Sequence, residues 1–224
     1  MTGDRLGRLG RLGRLHLITD TRDGRDALAV VSAALSAGAP VVQVRSKDGT
    51  DRDLHDLAER IARMCDAAGA LCLVDDRIDI ALAVGAGGTH LGALDLPLAA
   101  ARRIAGPDHV LGGTARDPDL ARALVAQGAD YLGVGPTAVT TTKTGLPSPL
   151  GVAAVGAVAS AVDVPVIAIG GVTVETVPAL LAAGAHGVAV VAAVSEAADP
   201  AAATRALLAA LEASAQARLV GGTP

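Results

Sequence analysis

Residues 41–76 read VVQVRSKDGTDRDLHDLAERIARMCDAAGALCLVDD. An apolar, β-branched run at 41–45 is followed by a helical stretch at 51–68, a Gly69-Ala70 break and a second apolar run at 71–75. Two buried strands joined by one helix form a βαβ unit, and the continuous apolar character of both runs marks a parallel sheet covered on both faces. The same unit repeats outward in both directions. Strands are predicted at 15–20, 41–45, 71–75, 88–92, 109–114, 131–135, 165–171 and 187–193, alternating with helices near 26–37, 51–68, 77–84, 97–105, 117–127, 150–161, 173–182 and 200–215. Eight βα units in one chain of 224 residues, with no linker or shift in composition, predict a single (β/α)₈ TIM barrel over 15–215. An open doubly wound sheet is the weaker alternative. The basic Arg-Leu-Gly repeats of 1–14 and the segment 216–224 read as flexible tails.

Composition narrows the function classes. Apolar residues make up 51% of the chain and charged ones 19%, so a large core is available. Tyr131 is the only residue of the Phe, Trp and Tyr group, so the interior must be filled by Ala, Val, Leu and Gly. Base stacking has no aromatic platform, and a net charge of −4 supplies no field for a polyanion; nucleic acid is not an expected partner. Residues 176–195 lack formal charge, but Pro178 and the Gly184-to-Gly187 break make them helix, turn and buried strand rather than a membrane span. Cys65 and Cys72 have neither the number nor the spacing of a disulfide frame or a zinc site, which fits a reducing, cytoplasmic setting. Self-association is compatible with this composition and is not specified by it.

The barrel reading predicts that chemistry sits at the C-terminal ends of the strands. The polar residues follow that rule. Seventeen arginines stand against two lysines, and both lysines, Lys47 and Lys143, fall just beyond predicted strands. Where any cation suffices this chain uses Arg, so the lysines imply compact ammonium charges that reach an oxyanion. Gln43, Arg45 and Lys47 are spaced by two, which projects all three to one face of an extended strand as a donor cluster suited to a diphosphate. Asp75 and Asp76 follow the third strand, and Asp95 follows the fourth. Asp76 and Asp95 each have a simpler reading as helix caps. Together, facing a cationic pair, they form a plausible Mg²⁺ site, since Mg²⁺ takes one or two carboxylates plus phosphate oxygens. Thr140, Thr142 and Lys143 lie in the long loop after the sixth strand, and Gly170-Gly171 and Val191-Ala192 end the seventh and eighth. These form a second anion site across the mouth. Two anion sites with a metal suggest the joining of two phosphorylated molecules with diphosphate leaving.

The segments Gln43–Lys47, Val74–Asp79, His90–Asp95, Gly135-Pro136 with Thr140–Lys143, and Ile169–Gly171 occur in the order and spacing of the thiamine phosphate synthase family, which the chain resembles over residues 15–212. The resemblance implies a (β/α)₈ transferase that condenses hydroxymethylpyrimidine diphosphate with a thiazole phosphate through a stabilised pyrimidine carbocation. It further implies that Gln43, Arg45 and Lys47 hold the pyrimidine diphosphate, that Asp76 and Asp95 bind Mg²⁺, and that Lys143 contacts the diphosphate. Arg45, Lys47 and Lys143 become the catalytic residues; Thr140, Thr142, Gly171, Val191 and Ala192 surround the thiazole phosphate, and Asp75 and Thr114 complete the substrate contacts. Five positions depart from the family's habit: Asp75 stands where Asn is usual, Thr114 and Ala192 where Ser is usual, Ser46 where Glu is usual, and Arg116 where His is common. A thiazole tautomerase sharing the fold, and a catalytically silent thiamine-precursor binding barrel, are the alternative readings.

Overall fold

The computed structural model describes residues 10, 12–22, 24–140 and 148–221. Its elements are β1 (Leu15–Ile18), α1 (Ala27–Ser36), β2 (Val41–Val44), α2 (Asp51–Ala68), β3 (Leu71–Asp75), α3 (Ile78–Ala83), β4 (Gly88–Leu91), α4 (Leu98–Ala105), β5 (Val110–Ala115), α5 (Pro118–Ala126), β6 (Tyr131–Val134), α6 (Gly151–Ala159), β7 (Val166–Ile169), α7 (Val177–Ala182), β8 (Gly187–Val190), α8 (Ala192–Ser195) and α9 (Pro200–Gly221). Each strand pairs in parallel with the next, and β1 returns to β8 through Leu17 opposite Val190. The sheet closes into an eight-stranded barrel. The expected (β/α)₈ architecture is therefore the observed one, and the open-sheet alternative is excluded.

Alternation along each strand divides the core in two. The outer layer, between strands and helices, is Val-, Leu- and Ala-rich and includes Val42, Val44, Val74, Leu111 and Leu132. The inner layer fills the barrel with Leu12, Ile18, Val41, Leu71, Leu73, Val110, Tyr131, Ile167 and Ala189. Local signals set the element ends. Thr50 and Asp53 form a reciprocal capping box at the start of α2, with the Asp53 carboxylate accepting the Thr50 N–H at 2.8 Å, a device of about 1 kcal/mol. Gly69 ends the same helix in the left-handed conformation.

Three boundary differences from the sequence expectation bear on the ends and mouth of the barrel. The N-terminal tail is not loose to residue 14: Leu12 is buried in the inner layer, and the Arg14 carbonyl accepts the Val188 N–H at 2.8 Å. The final helix continues to Gly221, because the stretch from Gln216 to Val220 contains no helix breaker before that glycine. The strand expected over 187–193 stops at Val190, and the chain turns into the short helix α8. Among the described residues, no helix is long and apolar enough to cross a membrane.

Candidate active site

Period-two alternation carries Gln43, Arg45 and Lys47 up the inner face of β2 and out of its C-terminal end, and β3 pairs with β2 in register. The three side chains meet at Asp75. The Gln43 amide Nε2 donates to Asp75 Oδ1 at 2.9 Å; Arg45 Nε lies 3.3 Å and Lys47 Nζ 3.6 Å from Asp75 Oδ2. Lys47 also forms an ion pair with Asp76. Gln43 is buried, Arg45 is half-buried and Lys47 is exposed, so donors are graded from the barrel interior to its rim. Thr19, at the end of β1, braces the cluster: its hydroxyl donates to the Arg45 carbonyl and accepts the Arg45 N–H, both at 2.8 Å.

The simpler reading of the two aspartates as helix caps is overturned by the geometry. The N-cap of α3 is Arg77 and that of α4 is Pro97, and neither makes a side-chain cap. Asp76 instead has φ +63°, a left-handed conformation that costs a residue with Cβ about 1–2 kcal/mol. Strain of this kind collects at functional positions, where the surrounding structure enforces it. It is enforced here by the Asp76 N–H, which donates to the His90 carbonyl of β4 at 2.8 Å. Asp95 folds back on its own loop, its carboxylate accepting the Gly92 N–H at 2.6 Å. Both carboxylates thus stand beyond the C-terminal ends of neighbouring strands, committed to no helix.

No group of three or more His, Cys, Asp or Glu is gathered among the described residues to cage a metal ion. Two carboxylates completed by substrate oxygens are a donor set that Mg²⁺ accepts, and the chemistry of Asp76 and Asp95 is compatible with it.

Across the mouth, the loops after β6 and β7 are seated on one another. Thr137 donates its hydroxyl to the Gly170 carbonyl at 2.7 Å, and the Ala138 N–H donates to the same oxygen at 3.0 Å. Gly171 has φ +69°, and a Cβ there would lie 2.7 Å from the Ala138 Cβ and 2.9 Å from the Val139 carbonyl oxygen. Only glycine permits both the conformation and the approach. Thr140 is half-buried beside this contact, Val191 follows β8, and Ala192 is the first residue of α8. Thr142 and Lys143 lie outside the described residues. Arg116 ties both stems of their loop, donating to the Gly135 carbonyl at 2.9 Å and the Ser148 carbonyl at 3.1 Å.

Two features escaped the sequence reading. The first is a closure network at the ends of β1 and α8. Asp20, buried, accepts two hydrogen bonds from the Arg22 guanidinium at 2.8 and 2.6 Å and one from the Ser195 hydroxyl at 2.9 Å. Arg22 holds its carboxyl down at about 2 against burial, which acts the other way, and Ser195 assists. Asp20 lies just beyond the C-terminal end of β1, so the positional rule that picked out Asp75 could have found it. The second feature is the polar chain inside the barrel: His90 Nε2 lies 2.9 Å from the Thr114 hydroxyl, and His90 Nδ1 lies 3.0 Å from the Tyr131 hydroxyl.

Comparison with known proteins points the same way as this geometry. A family model described as thiamine monophosphate synthase matches residues 15–194. The thiamine-phosphate synthase of Salinispora tropica is 60% identical over 196 residues, covering 86% of this chain and 94% of that protein. The enzyme of the same name from Moorella thermoacetica is 44% identical over 184 residues, covering 82% and 88%. Among solved structures, thiamine phosphate pyrophosphorylase from Pyrococcus furiosus superposes with a TM-score of 0.83 at 32% identity, covering 92% of this chain and 97% of that one. The family model and these relatives each match most of the chain, and the chain belongs to the thiamine monophosphate synthase family.

Proposed function

We propose that this protein is a thiamine-phosphate synthase, condensing hydroxymethylpyrimidine diphosphate with a thiazole phosphate to give thiamine phosphate and diphosphate. The observation that carries the reading is the convergence of Gln43, Arg45 and Lys47 on the Asp75–Asp76 pair. An amide, a guanidinium and an ammonium graded along one strand face suit a diphosphate whose organic end points into the barrel. Arg45 would grip phosphate oxygens through its planar fork, while Lys47 places a mobile point charge at the rim. Lys143, carried by the loop after β6, would add a second ammonium on the leaving group.

Asp76 and Asp95 would hold Mg²⁺. When bound, that ion neutralises diphosphate charge and so favours departure of the group. Lys47 is held by Asp76 in the free protein, and with that carboxylate engaged elsewhere its ammonium turns to the diphosphate. Thr140, Thr142, Gly171, Val191 and Ala192 would cup the phosphate of the thiazole partner across the mouth, orienting its ring nitrogen toward the pyrimidine carbon from which diphosphate leaves. No protein nucleophile is required: the C–O bond breaks, the C–N bond forms, and the protein supplies orientation and charge.

A thiazole tautomerase shares the fold and one phosphate site but has no diphosphate to bind, and the ion-paired Lys47 and Asp76 favour the synthase. The deciding experiment mixes the purified protein with both phosphorylated precursors and follows release of diphosphate with Mg²⁺ and after chelation. Release that requires both precursors and the metal supports the reading, and Lys143→Ala should remove it without unfolding the barrel. Rearrangement of a thiazole phosphate alone, or binding of both precursors without turnover, would replace the synthase by one of its alternatives.

A further inference from the structure

The barrel interior holds a polar chain whose outer member, Thr114, the family resemblance places among the substrate contacts, and whose inner members, Tyr131 and His90, have no role in the proposed chemistry. The chain's single Phe, Trp or Tyr residue, Tyr131, is spent here, 1% exposed at the centre of the inner layer. Its ring packs edge-on against His16 at a centroid separation of 5.5 Å and tilted against His90 at 5.5 Å. Neighbouring strands are cut back to make room. A Cβ on Gly112 of β5 would overlap the Tyr131 ring, and one on Gly133 of β6 would lie 3.0 Å from His90 Cε1. Two glycines facing one another's neighbours across paired strands describe a cavity shaped for this tyrosine–histidine pair.

The direction of the hydrogen bonds follows from donor inventory. The Tyr131 hydroxyl, pushed above its ordinary pKa by burial, keeps its proton, and its hydrogen-bond partner among the described residues is His90 Nδ1 at 3.0 Å. A buried phenol that accepted from Nδ1 would leave its own proton unsatisfied, which is costly, so the phenol donates. Nδ1 is then the acceptor and the His90 proton sits on Nε2, 2.9 Å from Thr114 Oγ1. Thr114 accepts that bond, and a hydroxyl cannot return its proton to the atom that donates to it. Its proton is turned away from His90, and Thr114, half-buried like His90, stands at the C-terminal end of β5, where the barrel opens to substrate.

We propose that Tyr131 and His90 are positioning residues that fix the Thr114 hydroxyl as a hydrogen-bond donor to an acceptor atom of the substrate, a pyrimidine ring nitrogen or a phosphate oxygen. The kinetic half of this inference rests on the synthase reading; the orientation of the relay does not. Without Tyr131 the imidazole can adopt either tautomer, and Thr114 offers a donor only part of the time.

The experiment has two arms. In the free protein, the ¹⁵N shifts of the His90 ring, identified by their loss in His90→Gln, should report the Nε2–H tautomer, and Tyr131→Phe should mix the two forms. A wild-type Nδ1–H tautomer would overturn the relay. In steady-state kinetics, Tyr131→Phe should lower kcat/KM about tenfold, Thr114→Val should lower it at least as much, and the double variant should be no worse than Thr114→Val. Losses that multiply in the double variant, or a Tyr131→Phe enzyme within twofold of wild type, would show that Tyr131 acts only as packing. If the wild-type protein releases no diphosphate, the functional reading fails, and the tautomer measurement still decides the relay.

Discussion

Lys47 and Asp76 form an ion pair across the mouths of β2 and β3, with Asp76 held at φ +63°. A carboxylate placed at conformational cost, capping nothing and facing a rim ammonium, is positioned for a ligand rather than for stability. Asp76→Gly should therefore separate the two. The left-handed penalty disappears while glycine's extra unfolded-state freedom offsets part of the gain, so stability to urea should be unchanged or higher by up to about 1 kcal/mol. Turnover should fall at least about 100-fold, corresponding to about 3 kcal/mol, with weakened Mg²⁺ binding by titration calorimetry. A fully active Asp76→Gly enzyme would remove the aspartate from the metal site.

Asp75 draws both Arg45 and Lys47 onto one carboxylate oxygen. A diphosphate competes with that charge for the same cations. Asp75→Asn keeps an acceptor for the Gln43 amide and removes the competitor, so KM for the diphosphate substrate should drop roughly fivefold, the effect of about 1 kcal/mol of relieved repulsion. A raised KM in the Asn variant would mean that the carboxylate itself contacts the substrate.

His16 is enclosed at the barrel centre, where burial depresses its pKa from 6.5 to about 3 against a hydrogen bond to the Gly13 carbonyl at 3.1 Å. The unfolded chain takes up the proton first, so stability is full above about 6.5 and is lost as pH falls toward 3. Between pH 7 and pH 5 the loss from this one group should be about 2 kcal/mol. Urea denaturation at both pH values will measure it, and His16→Gln should remove most of the difference. An unchanged slope in that variant would assign the acid sensitivity to other groups.

Asp20 has the opposite setting, with a folded pKa near 2 against 3.8 when exposed, held down chiefly by Arg22. Its stabilisation is present above 3.8 and vanishes as pH falls through about 2. Asp20→Asn should cost about 2 kcal/mol at neutral pH and much less near pH 2, because the wild-type carboxylate is by then about half protonated in the folded protein and almost fully in the unfolded chain. Equal destabilisation at both pH values would point to packing instead of charge.

What the sequence settled by itself was everything set by local periodicity. Eight apolar runs separated by helix-length stretches specified a barrel, since continuous apolar strands need cover on both faces and β-helix-β connections make neighbours parallel. The spacing of Gln43, Arg45 and Lys47 put them on one face, because alternation along a strand needs no knowledge of its neighbours. The end of α9 was also a local matter, and there the reading stopped early although nothing from Gln216 to Val220 interrupts the helix before Gly221. The tertiary structure decided partnership. Which carboxylate Lys47 meets, whether Asp76 and Asp95 cap a helix, that Leu12 plugs the barrel floor, and that Asp20 reaches Ser195 all depend on barrel closure. Closure brings Asp20 and Ser195 together from 175 positions apart. The Tyr131–His90–Thr114 chain is of the same kind: three strands each contribute one side chain, and two glycines on opposing strands leave the space. No pattern along the chain encodes such a meeting, because the distances that create it run across the sheet.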